Sequence, residues 1–185
     1  EALNRLFSLI DRFMADDREN SFQPETVQIQ SIIGDVQLHF EMTKRSERLR
    51  FVMEDETVSF CADPDMLTTV VINLIDNALK YSQEDQPVHI CAKEELGSVV
   101  IEVRDRGIGI PQSELSRIGR RFFRASNAKA TAGTGLGIYS THKLLAYHAG
   151  TLRLFSNVEG GTTAIVVMPS SIETSQPLVP EGMMA

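Results

Sequence analysis

Asn73-Leu74-Ile75-Asp76-Asn77-Ala78-Leu79-Lys80-Tyr81-Ser82 sets two amides and an ammonium inside an otherwise apolar helical run. Spacings of four and three residues return to one helix face, so Asn73, Asn77 and Lys80 share a stripe. Val70, Val71, Leu74, Ile75 and Ala78 are left to face a core. An Asn amide oxygen is a neutral, hard ligand suited to Mg²⁺, and a Lys side chain can reach a phosphate beside that metal. Downstream stand Asp105-Arg106-Gly107-Ile108-Gly109-Ile110 and Gly133-Thr134-Gly135-Leu136-Gly137. The three pieces in this order read as a site for a magnesium nucleotide.

Each piece has a plainer reading when taken alone. The polar stripe could be a solvated helix face, Asp-x-Gly-x-Gly an ordinary turn after a strand, and the last motif a flexible glycine linker. The joint reading rests on chemistry. Ionised Asp105 is acceptor-only and suits an exocyclic amine such as that of adenine. Gly107 and Gly109 leave room for backbone to approach a flat base. Gly133 to Gly137 precedes a helix whose free N-terminal amides attract anions. It is neither a dinucleotide fingerprint, since no strand leads into it, nor a P-loop, since no Gly-Lys-Ser/Thr follows.

Around these motifs the 185 residues, 42% hydrophobic, can bury one good core. A net charge of -7 argues against nucleic acid as the partner. Cys61 and Cys91 are too few and too far apart for a metal knuckle, and each sits in a strand-like segment as a buried thiol of a reducing compartment. No apolar run nears the ~20 residues of a membrane span, and no signal peptide is present. Glu1 in place of an initiating Met predicts a cytoplasmic piece of a longer protein with room for a membrane anchor elsewhere.

Along the chain, residues 1–14 carry Leu3, Leu6, Phe7, Ile10, Phe13 and Met14 at helical spacing, the expected tail of a helix from a preceding bundle, with a linker to about residue 24. A short strand at 27–29 leads into a helix over 30–45. Strands at 49–53 and 57–62 flank an acidic turn. Asp63-Pro64 gives an N-cap and a proline at the first helical position of a helix reaching Ser82. Residues 87–94 and 98–105 form a hairpin, 111–118 a short helix, and 125–136 a mobile loop or lid. A helix over 138–148 stops at Gly150, a hairpin spans 151–168, and 169–185 is a frayed tail. The class is α/β, with a mainly antiparallel sheet covered on one face by helices.

Residues 63–168 resemble the catalytic and ATP-binding domain of sensor histidine kinases, in the ATPase superfamily shared with gyrase and the MutL repair proteins. Asn73 through Tyr81 is similar to that family's N box, Asp105 through Gly109 to its G1 box, Gly133 through Gly137 to its G2 box, and Arg121-Phe122-Phe123-Arg124 to its F box. The resemblance implies a Bergerat-type two-layer sandwich over 20–168 that binds ATP and Mg²⁺. It implies Asn77 as metal ligand, Asn73 beside the metal–phosphate group, Lys80 on phosphate, Tyr81 near ribose or base, and Asp105, Gly107, Gly109 and Ile110 at the base. Phe123 would anchor a lid whose Gly133, Thr134, Gly135, Leu136 and Gly137 close on the phosphates.

Gyrase and MutL carry a glutamate as base for water four residues before the metal-binding Asn. Asn73 stands there instead, which disfavours hydrolysis relative to phosphoryl transfer. Gly119, where an earlier F-box Phe is usual, and Tyr139, where an aliphatic is common, depart from the pattern.

The phosphoacceptor His implied by the resemblance sits on a separate upstream dimerisation domain, which would also meet the response regulator and make the full protein a homodimer. Ser140-Thr141-His142-Lys143-Leu144-Leu145 superficially resembles an acceptor motif but lacks the acidic neighbour and the following Pro; His148 reads as a helix-end residue. Arg117, Arg120, Arg121, Arg124 and Lys129 form a basic cluster that either draws phosphate to the lid, with Arg124 the best contact, or is a solvated face with Glu114. A serine kinase of the anti-sigma type shares the fold but usually lacks the Lys-Tyr pair and F box. A degenerate, nucleotide-free interaction module is the third reading.

Overall fold

The structure, a computed structural model, describes residues 22–170. The expected helix tail over 1–14 and nearly all of the expected C-terminal tail lie outside those residues. Among the described residues seven strands and three α-helices follow one another as β1 (Glu25–Gln28), α1 (Ile29–Met42), β2 (Leu49–Met53), β3 (Ser59–Ala62), α2 (Pro64–Tyr81), β4 (Val88–Glu95), β5 (Ser98–Arg104), α3 (Gly137–Tyr147), β6 (Thr151–Ser156) and β7 (Thr162–Pro169). Short 3-10 turns occupy Gln112–Arg117 and Ser126–Ala128.

The main sheet has the order β2-β4-β5-β7-β6, with β2 parallel to β4 and every other pair antiparallel. Alternation decides which face is covered. Val88, Ile90 and Ala92 of β4, Val99, Ile101 and Val103 of β5, and Ala164, Val166 and Met168 of β7 are buried on one face. The helices lie there, giving the expected two-layer α/β sandwich. The segments at 49–53 and 59–62 do flank an acidic turn, yet they part company: β2 joins the main sheet, while β3 pairs with β1 in a separate two-stranded ribbon.

α1 presents Ile29, Ile32, Ile33, Val36 and Phe40 as one stripe at helical spacing. α2 is capped as expected: the Asp63 carboxylate accepts the Met66 N–H at 3.0 Å and Pro64 occupies the first turn. At its other end the Arg48 guanidinium donates to the carbonyls of Leu79 and Gln86 and to Ser82 Oγ, satisfying a helix-end carbonyl. α3 is tied to α2 by His148, which is fully buried. Its Nε2 accepts the Asp63 N–H at 3.0 Å, so Nδ1 carries the proton and donates to Leu144 O at 2.7 Å. α3 does not end on Gly150 alone: Ala149 takes the left-handed position (φ 52), and the Gly150 N–H returns to Leu145 O. Gly150 is required for a different reason, because a Cβ there would lie 2.7 Å from Met168 Sδ.

Candidate functional site

Between α2, the end of β5 and the loop before α3 lies a cavity of about 720 Å³, within the usual range of small-molecule sites. Its floor is apolar, with Leu74, Val103, Ile138, Leu154 and Ala164. Its polar lining brings together residues far apart in sequence: Asn77, Lys80 and Tyr81 from α2, Asp105, Gly109 and Ile110 from the loop after β5, and Phe123, Arg124, Gly133, Thr134, Gly135 and Gly137 from the segment before and at the start of α3. Three expected site residues do not line it. Asn73 stands one turn earlier on α2, half-buried; Leu136 is the N-cap of α3; Gly107 lies behind the wall.

The structure gives Gly107 a reason the sequence did not carry. A Cβ there would fall 2.3 Å from the Tyr81 carbonyl oxygen, so the glycine makes room for the end of α2. The adjacent Ile108 N–H donates to that same carbonyl at 3.1 Å. The loop after β5 is therefore fastened to the turn that carries Lys80 and Tyr81.

Asp105 is almost fully buried, 6% exposed. Its Oδ1 accepts the N–H groups of Gly107 at 2.7 Å and Thr162 at 3.1 Å, and its own N–H donates to Thr162 O. Gly161 permits this crossing at φ 90, since a Cβ would sit 2.1 Å from the Asp105 carbonyl oxygen. Burial pushes the Asp105 carboxyl above its ordinary pKa of 3.8, and the two backbone donors only partly offset it. A carboxylate poised this way is a strong acceptor for a ligand donor while ionised and a weaker one once protonated. Adenosine affinity should therefore fall as pH drops through this raised range, and Asp105→Asn should flatten the profile. A titration series at several pH values checks both; identical profiles would remove Asp105 from the site.

At the opposite end the first turn of α3 has no side-chain cap, leaving its amides available to an anion. A Cβ on Gly137 would lie 3.6 Å from Asn77 Nδ2, so the amide of α2 faces this turn closely. A Cβ on Gly133 would lie 2.5 Å from Lys80 Nζ and 3.9 Å from the Arg124 guanidinium carbon. Two cations thus converge where the backbone is bare. Arg124 is also the brace of the loop, donating through Nη2 to the carbonyls of Ala128 and Thr131.

The stretch expected to be a lid begins firmly tied. Glu114 accepts from Ser126 N and Oγ, and Asn127 Nδ2 donates to the carbonyls of Ile108 and Gly109. Asn127 lines the cavity and had no signal in the sequence beyond an Asn in a polar loop. Thr162 also lines it and was read only as a strand residue. At Gly135 (φ 76) the chain folds back onto Phe122 and Phe123, with backbone atoms 2.8 Å from where a Cβ would stand. The basic cluster is partly spoken for: Arg117 lies over the Phe123 ring at 4.3 Å and Arg121 over Phe122 at 4.9 Å. The space beside Gly119 is taken by the His142 ring, at 2.7 Å from a Cβ placed there.

This set of groups fits a magnesium nucleotide. One wall offers a buried acceptor above an apolar floor, and the other offers a neutral amide, two cations and an uncapped helix N-terminus. Among the described residues no helix is long and apolar enough to cross a membrane.

A family model described as "Histidine kinase-, DNA gyrase B-, and HSP90-like ATPase" matches residues 62–172. The sensor histidine kinase WalK of Bacillus subtilis is 33% identical over 160 residues, covering 83% of this chain and 26% of the relative. The sensor-like histidine kinase SenX3 of Mycolicibacterium smegmatis is 31% identical over 148 residues, 78% of this chain and 38% of the relative. The chain thus spans between a quarter and two fifths of the length of these curated relatives. Among solved structures, the catalytic domain of histidine kinase ThkA superposes with a TM-score of 0.70 at 24% identity, over 81% of this chain and 99% of that domain, which shows a shared fold.

Proposed function

The chain belongs to the histidine kinase-, DNA gyrase B- and HSP90-like ATPase family, and on that premise we propose that residues 20–168 are the ATP-binding catalytic domain of a sensor histidine kinase. The observation that carries the reading is the cavity that joins Asn77 and Lys80 of α2 to Asp105 at one end and to Gly133, Thr134, Gly135 and Gly137 at the other. Asp105 selects the base through its exocyclic amine. Asn77 would hold Mg²⁺, which would supply charge neutralisation on the phosphates. Lys80 and the first turn of α3 bind and orient the phosphate chain, Arg124 shapes the loop that covers it, and Phe123 anchors that loop. The γ-phosphoryl group passes to a His on a separate dimerisation domain, through which the protein would meet its response regulator as a cytoplasmic homodimer. The Lys80-Tyr81 pair and the Arg121–Arg124 turn support this reading over a serine kinase of the anti-sigma type.

Asn77→Ala tests the metal site. Truncating this half-buried amide should leave the fold unchanged, so the loss should appear in binding. Removing one hard ligand should cost on the order of 1–3 kcal/mol of Mg²⁺-dependent ATP affinity. Adenosine, which carries no phosphate, should bind as before. Equal Mg²⁺ dependence in variant and parent by calorimetry would refute the assignment.

A further inference from the structure

The loop between α1 and β2 sends one more charged side chain into the cavity. Arg45 Nη1 donates to Asp76 Oδ1 at 2.7 Å, and both side chains line the cavity. The pair is open to solvent, at 45% and 41% exposure, so neither partner is locked by burial. Asp76 immediately precedes Asn77 and stands one helical turn before Lys80, so it looks onto the phosphate side of α2. It and Asp105 are the two carboxylates among the lining residues, and Asp105 is engaged at the far end. In the ligand-free chain Asp76 holds Arg45, and because both are exposed the pair can open and leave the Asp76 carboxylate to solvent. The Arg45 guanidinium also lies over the buried Phe40 ring, 5.6 Å from its centroid. Arg45 lies before the residues that match the family model.

We propose that Arg45 is a terminal-phosphate contact: it exchanges the Asp76 carboxylate for the γ-phosphate of a bound nucleoside triphosphate and so favours triphosphate over diphosphate. The exchange replaces one charge-assisted pair by another of higher charge, and a planar guanidinium suits phosphate oxygens as well as it suits a carboxylate. The inference rests on the nucleotide reading of the cavity given above.

A double-variant cycle tests it. The whole chain and its Arg45→Met, Asp76→Asn and double variants are titrated calorimetrically with the Mg²⁺ complexes of a non-hydrolysable ATP analogue and of ADP, and with adenosine. Arg45 is exposed, so Met in its place should leave the fold intact. Arg45→Met should weaken the ATP analogue about tenfold, ADP less than about threefold, and adenosine not at all. Asp76→Asn frees Arg45 and should bind the analogue at least as tightly as the parent. The double variant should be as weak as Arg45→Met. Equal losses for analogue and ADP, or a double variant restored to parental affinity, would show that Arg45 only neutralises Asp76 and would overturn the proposal. A parent chain that bound none of the three ligands would instead overturn the nucleotide reading, so the two failures are distinct.

Discussion

Asp105→Ala should abolish adenine-nucleotide binding, with a loss on the order of a hundredfold or more, and should also destabilise the domain. Two effects combine because one carboxylate does two things. Its Oδ1 holds the N–H groups of Gly107 and Thr162, which stitch the loop after β5 to the start of β7. Truncation leaves two backbone donors without a partner, a cost of about 2–4 kcal/mol in folding free energy. Asp105→Asn separates the effects. The amide oxygen can keep both backbone bonds, so the fold should survive, but the NH₂ now meets a ligand amine with a second donor. Adenine should lose and guanine, which presents a carbonyl there, should gain. Competition between ATP and GTP analogues in parent and variant measures this directly. Similar affinities for the two bases in the parent chain would remove Asp105 from base recognition.

What could be read in the sequence was what is local. The helix over Pro64–Tyr81, its Asp63-Pro64 start and the two hairpins each depend on residues within a few positions of one another, and each is found where expected. The partners of β2 and β3 were not legible. β2 reaches across α2 to pair in parallel with β4, and nothing in Leu49–Met53 distinguishes that from pairing across the acidic turn. Gly107 was read correctly as a close approach, but what approaches is the end of α2, 26 residues earlier, and periodicity carries no such information. Arg45 and Asn127 were illegible for the same reason: an arginine and an asparagine in polar loops look alike whether they face solvent or a cavity. Asn73 shows the converse. Its helical phase put it on the stripe with Asn77, but it is not among the residues that line the cavity, although its neighbour Leu74 is.

The chain taken by itself should bind ATP, hydrolyse it slowly and place no phosphoryl group on its own residues. Its four histidines are His39, His89, His142 and His148, and none lines the cavity. His148 is buried with both ring nitrogens hydrogen-bonded. His89 is exposed on the sheet face opposite the helices, since its neighbours Val88 and Ile90 point into the core. His39 lies on α1 against Phe40, and His142 packs beside Gly119 outside the cavity wall. In-line transfer needs nucleophile and γ-phosphate within contact distance, and a positioned acceptor can be worth factors of about 10⁵ or more over an unpositioned one. Water is not an easy substitute on this reading: the resemblance puts Asn73 where gyrase and MutL carry a carboxylate base, and an amide cannot take that proton. Supplying a separate two-helix domain with an accessible His should restore transfer, with an acid-labile product on that domain. Incubation with labelled ATP and Mg²⁺, with and without the acceptor domain, followed by mass spectrometry, decides the matter. Stoichiometric phosphohistidine at His142, or at any other residue of this chain, would mean that the donor and acceptor halves of the reaction are not separate.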